Sequence, residues 1–455
     1  MRHILCTGFV VCGSFLSQAQ ASVLAIVDSG VDIKHEKLAS SIWINPNDST
    51  FDKVDNDGNG FVDDVYGWNF IENSSQVIDY KYGKLYDKTI ERFFQVQDDA
   101  LAGKASPEDI DWLKAAAKDP KIFKQIFTYG NYAHGTHVSG IGHGENSDTK
   151  ILAVKLVPTE NPLAGLAKEV QSAAEEGKSP NWLVKQLIKA GLSLFAKAQG
   201  IIFGTVAEYV GQQKADVANL SLGVGVVQAR SLVTPLLKLA SGGKEPSAAD
   251  LEEFSIYFLQ QLNKEQAVLF KKAPNTLFVF AAGNDGLSND KFPAAPASIQ
   301  NPNAISVAAV FSSGTIASFS NYGQNVDVAA NGVAVLSSVP DNHYLRLSGT
   351  SQAAPYVAGV AAHLKDLNPA LKPSEIKEII MKTVDLKPAL KDKVKAGGII
   401  NAERAYAAAA ASVNASLKDA IASAKEQVTD IDRPLSDARA ETNAVYVPWQ
   451  APFLF

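Results

Sequence analysis

Three reactive side chains stand where predicted core elements end or begin. Asp28 closes an apolar run in AIVDSGVD, His134 opens the glycine-rich run HGTHVSG, and Ser351 stands at a predicted helix start in SGTSQAAPYVAG. A serine hydroxyl is a weak nucleophile unless a neighbouring base takes its proton, and an imidazole, with an ordinary pKa of about 6.5, can be that base. A buried carboxylate fixes the tautomer of the imidazole. These residue types predict acyl-transfer chemistry with Ser351 as the nucleophile.

The elements that must position these residues alternate between strands and helices. Short apolar runs of the kind typical of buried parallel strands occur at 22–27, 151–157, 216–222, 277–282, 304–310 and 326–329. Helices are predicted over most of 86–128 and at 351–367 and 373–384. Pro355 is expected in a first helical turn, where few N–H groups have partners. The alternation predicts an α/β architecture with a mostly parallel sheet.

Five motifs, carrying Asp, His and Ser in that chain order, resemble those of the subtilisin-like serine proteases (the subtilases, peptidase family S8) over roughly residues 22–405. The motifs are AIVDSGVD, HGTHVSG, NLSLG, AAGND and GTSQAAP. The resemblance implies a three-layer α/β/α subtilisin-like fold with a mostly parallel central sheet and helical insertions. It also implies that Asp28, His134 and Ser351 form a catalytic triad, that Asn284 is the amide donor of the oxyanion hole, and that His137 is structural.

The same resemblance implies two walls for the pocket that receives the residue before the scissile bond. They are formed by Ser221, Leu222 and Gly223 on one side and by Ala281 and Gly283 on the other. Small residues there favour a large apolar or aromatic substrate side chain. Lys291 could approach the pocket and would favour an acidic side chain instead, so broad specificity is expected.

A second group of residues has the spacing of a calcium loop. Asp55, Asp57 and Asn59 occupy positions 1, 3 and 5 of an EF-hand-like pattern with Asp63 at position 9 and Asp64 beside it. Position 12 lacks the glutamate of a full EF-hand, and a surface loop rich in Asx turns explains the same composition. We expect structural calcium here. No metal is expected in catalysis, because the HxxH spacing in HGTHVSG lacks acidic residues in a suitable register for zinc.

The N-terminal residues 1–21 have the features of a signal peptide. An apolar run of moderate length ends at Ala19-Gln20-Ala21, which fits the small-x-small cleavage rule. A membrane anchor or a lipid attached to Cys12 would be the alternatives. The two cysteines, Cys6 and Cys12, both lie in this segment, so the mature chain would have none. We therefore expect a secreted or periplasmic protein without disulfides and without a membrane span in the mature chain.

Composition restricts the partners. Lys and Arg number 42 against 48 Asp and Glu, giving a net charge of −6. A nucleic-acid-binding protein usually shows a basic excess, so no nucleic acid is expected. The expected partners are protein or peptide substrates, and the chain is expected to be a monomer.

The predicted domains are the signal peptide 1–21, a peptidase domain 22–411 and a C-terminal extension 412–455. Insertions are expected near 71–130, 160–213 and 226–273. Only about six residues separate the predicted cleavage site from Asp28, which leaves no room for an N-terminal prodomain. The extension ends in an aromatic-rich run from Val445 to Phe455 that could restrain the cleft or merely pack on the outer surface. Both alternatives remain open from the sequence.

The predicted function is that of an exported serine endopeptidase. The alternative is a catalytically idle subtilase scaffold that binds peptides or partners through its cleft. The presence of all four residues, Asp28, His134, Ser351 and Asn284, argues against the idle scaffold, because a protein without catalysis is free to lose any of them.

Overall fold

Eleven strands occur in the computed structural model, which describes residues 21–144, 148–160, 181–431 and 446–447. In chain order they are β1 Val23–Asp28, β2 Gly67–Asn69, β3 Lys150–Lys155, β4 Val217–Leu220, β5 Leu277–Ala281, β6 Ala304–Val310, β7 Val328–Asn331, β8 Val335–Val339, β9 His343–Leu347, β10 Asp385–Leu386 and β11 Gly398–Ile399. Nine of them form one sheet in the order β10-β11-β7-β6-β5-β4-β1-β3-β2, and β8 and β9 form a separate antiparallel hairpin.

Neighbouring strands in the large sheet are parallel, except for the antiparallel pair β10 and β11. The carboxyl ends of parallel strands meet at one edge, which is where α/β proteins bind ligands. Asp28 is the last residue of β1 and Ala281 the last of β5, while Ser221 directly follows β4. The sheet therefore gathers residues from three distant motifs at one edge.

Eleven α-helices occur in the described ranges. They are α1 Lys88–Leu101, α2 Pro107–Lys118, α3 Pro120–His143, α4 Asn181–Gln212, α5 Val226–Ala240, α6 Ala248–Gln266, α7 Leu269–Lys272, α8 Thr350–Leu367, α9 Pro373–Lys382, α10 Ala402–Ala411 and α11 Leu417–Gln427. A short 3₁₀ helix over Tyr80–Leu85 precedes α1.

The central sheet is covered on both faces. Side chains alternate along a strand, so Leu24 and Ile26 of β1 pack with α3 and α8 to α11, while Val23, Ala25 and Val27 pack with α4 and α7 on the other face. All six residues of β1 are buried, as expected for a parallel strand between two helical layers. The predicted three-layer α/β/α class is confirmed.

The three expected insertions have different positions in the fold. Residues 71–130 supply α1, α2 and the first half of α3, which pack with the β8–β9 hairpin in a separate cluster. Residues 226–273 supply α5, α6 and α7. The described part of 160–213 is α4, whose Phe203, Val206 and Tyr209 are buried against the sheet. This helix is therefore part of the layer that covers the sheet and not a peripheral decoration.

Within the described ranges, one helical stretch, Val184–Gln212 of α4, is long and apolar enough to cross a bilayer by length and composition. Part of its apolar surface faces the sheet, as in the core helix of many globular proteins. The predicted signal peptide lies outside the described residues, apart from Ala21.

The first part of the predicted C-terminal extension is tightly packed. Ile421 and Ala424 of α11 are buried in the same core as α8 and α10. The Arg404 guanidinium on α10 donates to Val428 O at 3.0 Å and to Asp430 Oδ1 at 2.8 Å. Residues 412–431 are thus bound to the core of the fold.

Candidate active site

The buried carboxylate at the end of β1 holds an imidazole from α3. His134 Nδ1 lies 2.7 Å from Asp28 Oδ1, and the Ser29 N–H donates to the same oxygen at 2.7 Å. A carboxylate only accepts hydrogen bonds, so Nδ1 carries the proton of the neutral imidazole and Nε2 is left with a lone pair. Asp28 is fully buried and His134 is 7% exposed. This pair is arranged as a general base and its orienting group.

His134 lies in the middle of a helix, which differs from the expected position at the start of a glycine-rich segment. Helix α3 begins at Pro120 and continues through the motif to His143. Gly135 contacts the loop after β1 so closely that an added Cβ would lie 2.2 Å from Gly30 O. The glycine is required for this approach between helix and loop, and not for a turn. The same contact brings His134 to Asp28.

Ser351 is the second residue of α8, as the predicted helix start required. Its hydroxyl donates to Ser221 O at 3.2 Å, and the residue is 3% exposed. Ser351 and His134 both line one cleft with a volume of about 410 Å³. The positive end of the α8 dipole is therefore directed at the position where an oxyanion would form on a substrate carbonyl.

Pro355 has a different role from the one expected. It stands one turn inside α8, where its missing N–H would have bonded Ser351 O. The hydroxyl of Ser221 donates to that carbonyl oxygen instead, at 3.0 Å. Asn219 Nδ2 in turn donates to the Ser221 hydroxyl at 2.9 Å. Strand β4 and the residue after it thus fix the backbone of the predicted nucleophile.

The amide of Asn284 has a defined orientation. Its Oδ1 accepts from the Thr350 N–H and from the Thr350 hydroxyl, both at 2.9 Å. A backbone N–H can only donate, so the oxygen must face Thr350 and the NH₂ group points away from it. Asn284 lines the cleft with Ser351. Its position suits a donor to a substrate oxyanion, the role that the family resemblance implies.

The predicted pocket residues all line this cleft, namely Ser221, Leu222, Gly223, Ala281 and Gly283. Lys291 is not a lining residue; its ammonium lies 3.3 Å from Glu252 Oε1. The alternative based on an acidic substrate side chain therefore loses its support. Asp285 does line the cleft, and burial raises the pKa of its carboxyl.

The second histidine of the motif is fully buried between α3 and the β8–β9 hairpin. His137 Nε2 lies 3.1 Å from Val335 O and 3.0 Å from Leu345 O. Both partners are acceptors, so Nε2 is protonated and donates to them. Burial lowers the pKa of His137 to about 3, so the ring is neutral. These contacts place His137 as a link between two elements and away from the cleft.

The acidic loop is closed by hydrogen bonds. Asp55 accepts from the N–H groups of residues 59 and 60, and Asp63 accepts from those of residues 52 and 53. Asp57 and Asp64 each accept from the side-chain amides of Asn45 and Asn59. Burial raises the pKa of Asp64.

In this arrangement amide hydrogens contact the carboxylates that calcium would need. No group of three or more His, Cys, Asp or Glu in the described ranges is positioned to hold a metal. Turning the Asn59 oxygen toward Asp57 and Asp64 would break its hydrogen bond from the Phe61 N–H at 2.7 Å. The residues as placed do not form a metal cradle, and calcium binding stays a prediction.

Three residues of the cleft have no role that the sequence alone reveals. Thr350 stands inside the recognised GTS run, but its function as the anchor of Asn284 needs the contact between two distant segments. Phe319 lies in ASFSNYG and lines the cleft. Tyr446 belongs to the aromatic run for which the sequence left cleft restraint and surface packing open, and it lines the cleft.

Comparison with known proteins gives the same assignment over most of the chain. A model of the subtilase family (Peptidase_S8) matches residues 19–406. Alkaline elastase YaB of Bacillus sp. (strain YaB) is 41% identical over 31% of this chain and 35% of its own length, and Subtilisin Savinase of Lederbergia lenta is 30% identical over 61% and 79%. A crystal structure of a cold adapted subtilisin-like serine proteinase has a TM-score of 0.44, 19% identity, and coverage of 84% and 86%. The chain thus spans only about a third of the elastase, while the family match covers five motifs and the whole sheet. This chain belongs to the subtilase family.

Proposed function

We propose that this chain is an exported serine endopeptidase that acts through an acyl-enzyme on Ser351. The observation that carries the proposal is the meeting of four residues at one cleft: His134 oriented by Asp28, Ser351 at a helix start, and Asn284 with its amide oxygen held by Thr350. Family membership supports the same chemistry. Protein or peptide substrates follow from it.

The catalytic cycle follows from these positions. His134 Nε2 takes the proton of the Ser351 hydroxyl while Oγ forms a bond to the substrate carbonyl carbon. The carbonyl oxygen becomes an oxyanion that accepts hydrogen bonds from Asn284 Nδ2 and from an N–H at the start of α8. His134 then gives the proton to the leaving amine, and the peptide C–N bond breaks. A water molecule, deprotonated by the same imidazole, hydrolyses the ester and restores Ser351.

The substrate is proposed to lie along the walls that follow β4 and β5. Gly223 and Ala281 have small or no side chains, and Ala294 also lines the cleft. This space suits a large apolar or aromatic side chain before the scissile bond. Apolar walls bind such a side chain mainly through removal of its surface from water.

Export and calcium are separate parts of the proposal. The apolar run that ends at Ala19-Gln20-Ala21 supports cleavage after Ala21, and the sequence has no cysteine beyond Cys12. N-terminal sequencing of the mature protein is expected to begin at Ser22. A calcium ion in the loop of Asp55, Asp57, Asn59, Asp63 and Asp64 would serve only to stabilise that loop, because Ser351 needs no metal-bound water.

The test of the proposed function is covalent labelling. A fluorophosphonate is expected to label the wild-type protein and the Ser231→Ala control, whose serine is exposed on α5, but not Ser351→Ala. Peptide hydrolysis should follow the same pattern. A folded wild-type protein that is neither labelled nor active would establish the idle scaffold instead.

A further inference from the structure

Two residues of the C-terminal extension lie in and beside the catalytic cleft. Tyr446 lines the same cleft as Ser351 and His134. Its ring stacks on Phe319, with ring centroids 4.6 Å apart and planes 29° apart. A residue near the C-terminus therefore fills space that a substrate would use.

Val447, the next residue, is fixed to helix α1. The Val447 N–H donates to Gln97 Oε1 at 3.0 Å, and Gln97 is a buried residue of α1. The Val447 side chain packs against the cluster formed by α1, α2, α3 and the β8–β9 hairpin. Consecutive residues thus contact the cleft residue Phe319 through a ring and helix α1 through a backbone N–H. This combination is typical of how an extended peptide binds in a groove.

Tyr446 is held in the cleft by its ring and not by its hydroxyl. Within the described part of the chain, this buried hydroxyl has no hydrogen-bond partner. Burial, with the carboxylates of Asp285 and Asp98 nearby, raises the pKa of Tyr446 well above its ordinary value. A buried hydroxyl without a partner destabilises the contact, so a phenylalanine should bind better here than tyrosine.

We propose that Phe319 forms a subsite for an aromatic side chain of the substrate, and that Tyr446 fills this subsite from within the chain and competes with substrate. The proposal rests on the proposed function, because competition requires a working Ser351. A tethered segment binds at a high effective concentration, so one aromatic contact is enough to change the apparent affinity for substrate.

The competing part is distinct from the packed part of the extension. Residues 412–431 are fixed to the core through α11 and Arg404. Truncation after Ala411 would remove both parts together and confuse stability with inhibition. Point substitutions of Tyr446 in the full chain separate the two effects.

The experiment compares Tyr446→Ala, Tyr446→Phe and the control Tyr344→Ala in the full-length protein. Tyr344 is an exposed tyrosine on β9 whose hydroxyl bonds Glu36. On a short peptide ester, Tyr446→Ala is expected to lower KM about 3- to 10-fold with little change in kcat, which is the range one aromatic contact supplies. Tyr446→Phe should keep KM at or above the wild-type value, and the control should match the wild type.

A double-mutant cycle with Phe319→Leu identifies the subsite. The effect of Tyr446→Ala should disappear in the Phe319→Leu background, because the stacking partner is already gone. A synthetic peptide of residues 442–449 should inhibit the Tyr446→Ala protein competitively, and the same peptide with alanine for tyrosine should not. Substrate peptides with an aromatic residue at the matching position should lose their preference in Phe319→Leu.

Fluorophosphonate labelling distinguishes failure of the proposed function from failure of the inference about Tyr446. Absence of labelling in both the wild type and Tyr446→Ala would overturn the proposed function. Equal labelling rates and equal KM values in two active proteins would overturn the inference and leave Tyr446 as a packing residue. The melting temperature is compared with and without Tyr446→Ala in the Ser351→Ala background. If Tyr446→Ala lowers the melting temperature there but leaves KM unchanged in the proteins that keep Ser351, the inference is overturned in the same way.

Discussion

The buried neutral histidine of α3 gives a prediction about stability at acid pH. His137 donates from Nε2 to two carbonyl oxygens of the β8–β9 hairpin and cannot be protonated until the pH approaches 3. In the unfolded chain it takes up a proton near its ordinary pKa of 6.5. The unfolded state therefore binds more protons below pH 6.5, and stability is lost as the pH falls. His137→Gln keeps a donor at this position and removes the titration.

The magnitude follows from the two pKa values. Linkage gives a loss of about 1.4 kcal/mol for each pH unit well below 6.5, which amounts to about 2 kcal/mol between pH 7 and pH 5. Since pH 5 lies well above the pKa of about 3 for folded His137, this result depends little on how far burial lowers it. The contributions of other titrating groups are the same in both proteins and cancel in the difference.

The assay is urea unfolding of wild-type and His137→Gln sequences, both carrying Ser351→Ala to prevent autolysis. The free energy of unfolding is measured at pH 7 and pH 5. We expect the histidine protein to lose about 2 kcal/mol more than the glutamine protein over this interval. Equal losses would show that His137 is protonated in the folded state, and the structural role assigned to it would be wrong.

Three further outcomes test other parts of the structure. Asn284→Ala should lower kcat about 100- to 1000-fold, a scale taken from the oxyanion asparagine of subtilisin, a member of this family; an unchanged kcat would contradict its assignment. Burial raises the pKa of the Asp98 carboxyl to about 6. As the pH rises through 6 the folded protein loses this proton, and the buried charge that remains lowers its stability. At pH 8 the free energy of unfolding of Asp98→Asn should therefore exceed that of the wild type by up to about 3 kcal/mol, and at pH 3 the two should be equal. A difference that does not change with pH would refute this. If calcium binds, EDTA should lower the melting temperature of the wild type but not of Asp57→Ala, since calcium at 100 times its Kd stabilises the folded state by about 2.7 kcal/mol. Identical wild-type melting curves with EDTA and with calcium would show that the loop is held by hydrogen bonds alone.

The central sheet was predictable because its strands are buried on both faces. The apolar runs at 22–27, 277–282 and 304–310 correspond closely to β1, β5 and β6. Such runs need no alternation, and the first two are followed directly by Asp28 and Gly283, which mark their ends. The position of Asp28 at the end of a strand was therefore evident from the sequence.

The β8–β9 hairpin was not predicted, and its sequence explains why. Val335–Val339 is rich in serine and only partly buried, so its pattern is weak. The hairpin gains stability from distant contacts: Ser337 Oγ donates to His137 O at 2.8 Å, and Ser338 Oγ donates to Thr136 O at 3.1 Å. Local patterns cannot reveal an element whose partners lie about two hundred residues earlier in the chain.

The sequence indicated which residues would meet at the cleft, but not which contacts hold them in place. The motifs identified Asp28, Ser351 and Asn284, but Pro355 was expected where its missing N–H is harmless. In the structure the Ser351 carbonyl oxygen accepts a hydrogen bond from the Ser221 hydroxyl instead. This relation joins two motifs more than a hundred residues apart, and only the folded chain brings them together.

The central place of β1 has a consequence for how the protein comes into existence. β1 lies between β3 and β4, so this strand, which is synthesised before either neighbour, must wait for partners from later in the chain. Pairing of this kind raises the contact order, and high contact order slows folding. Until those partners arrive, both edges of β1 are open to pairing with other chains. Ser351 is also synthesised long after Asp28, so an incomplete chain lacks one of the residues that meet at the cleft.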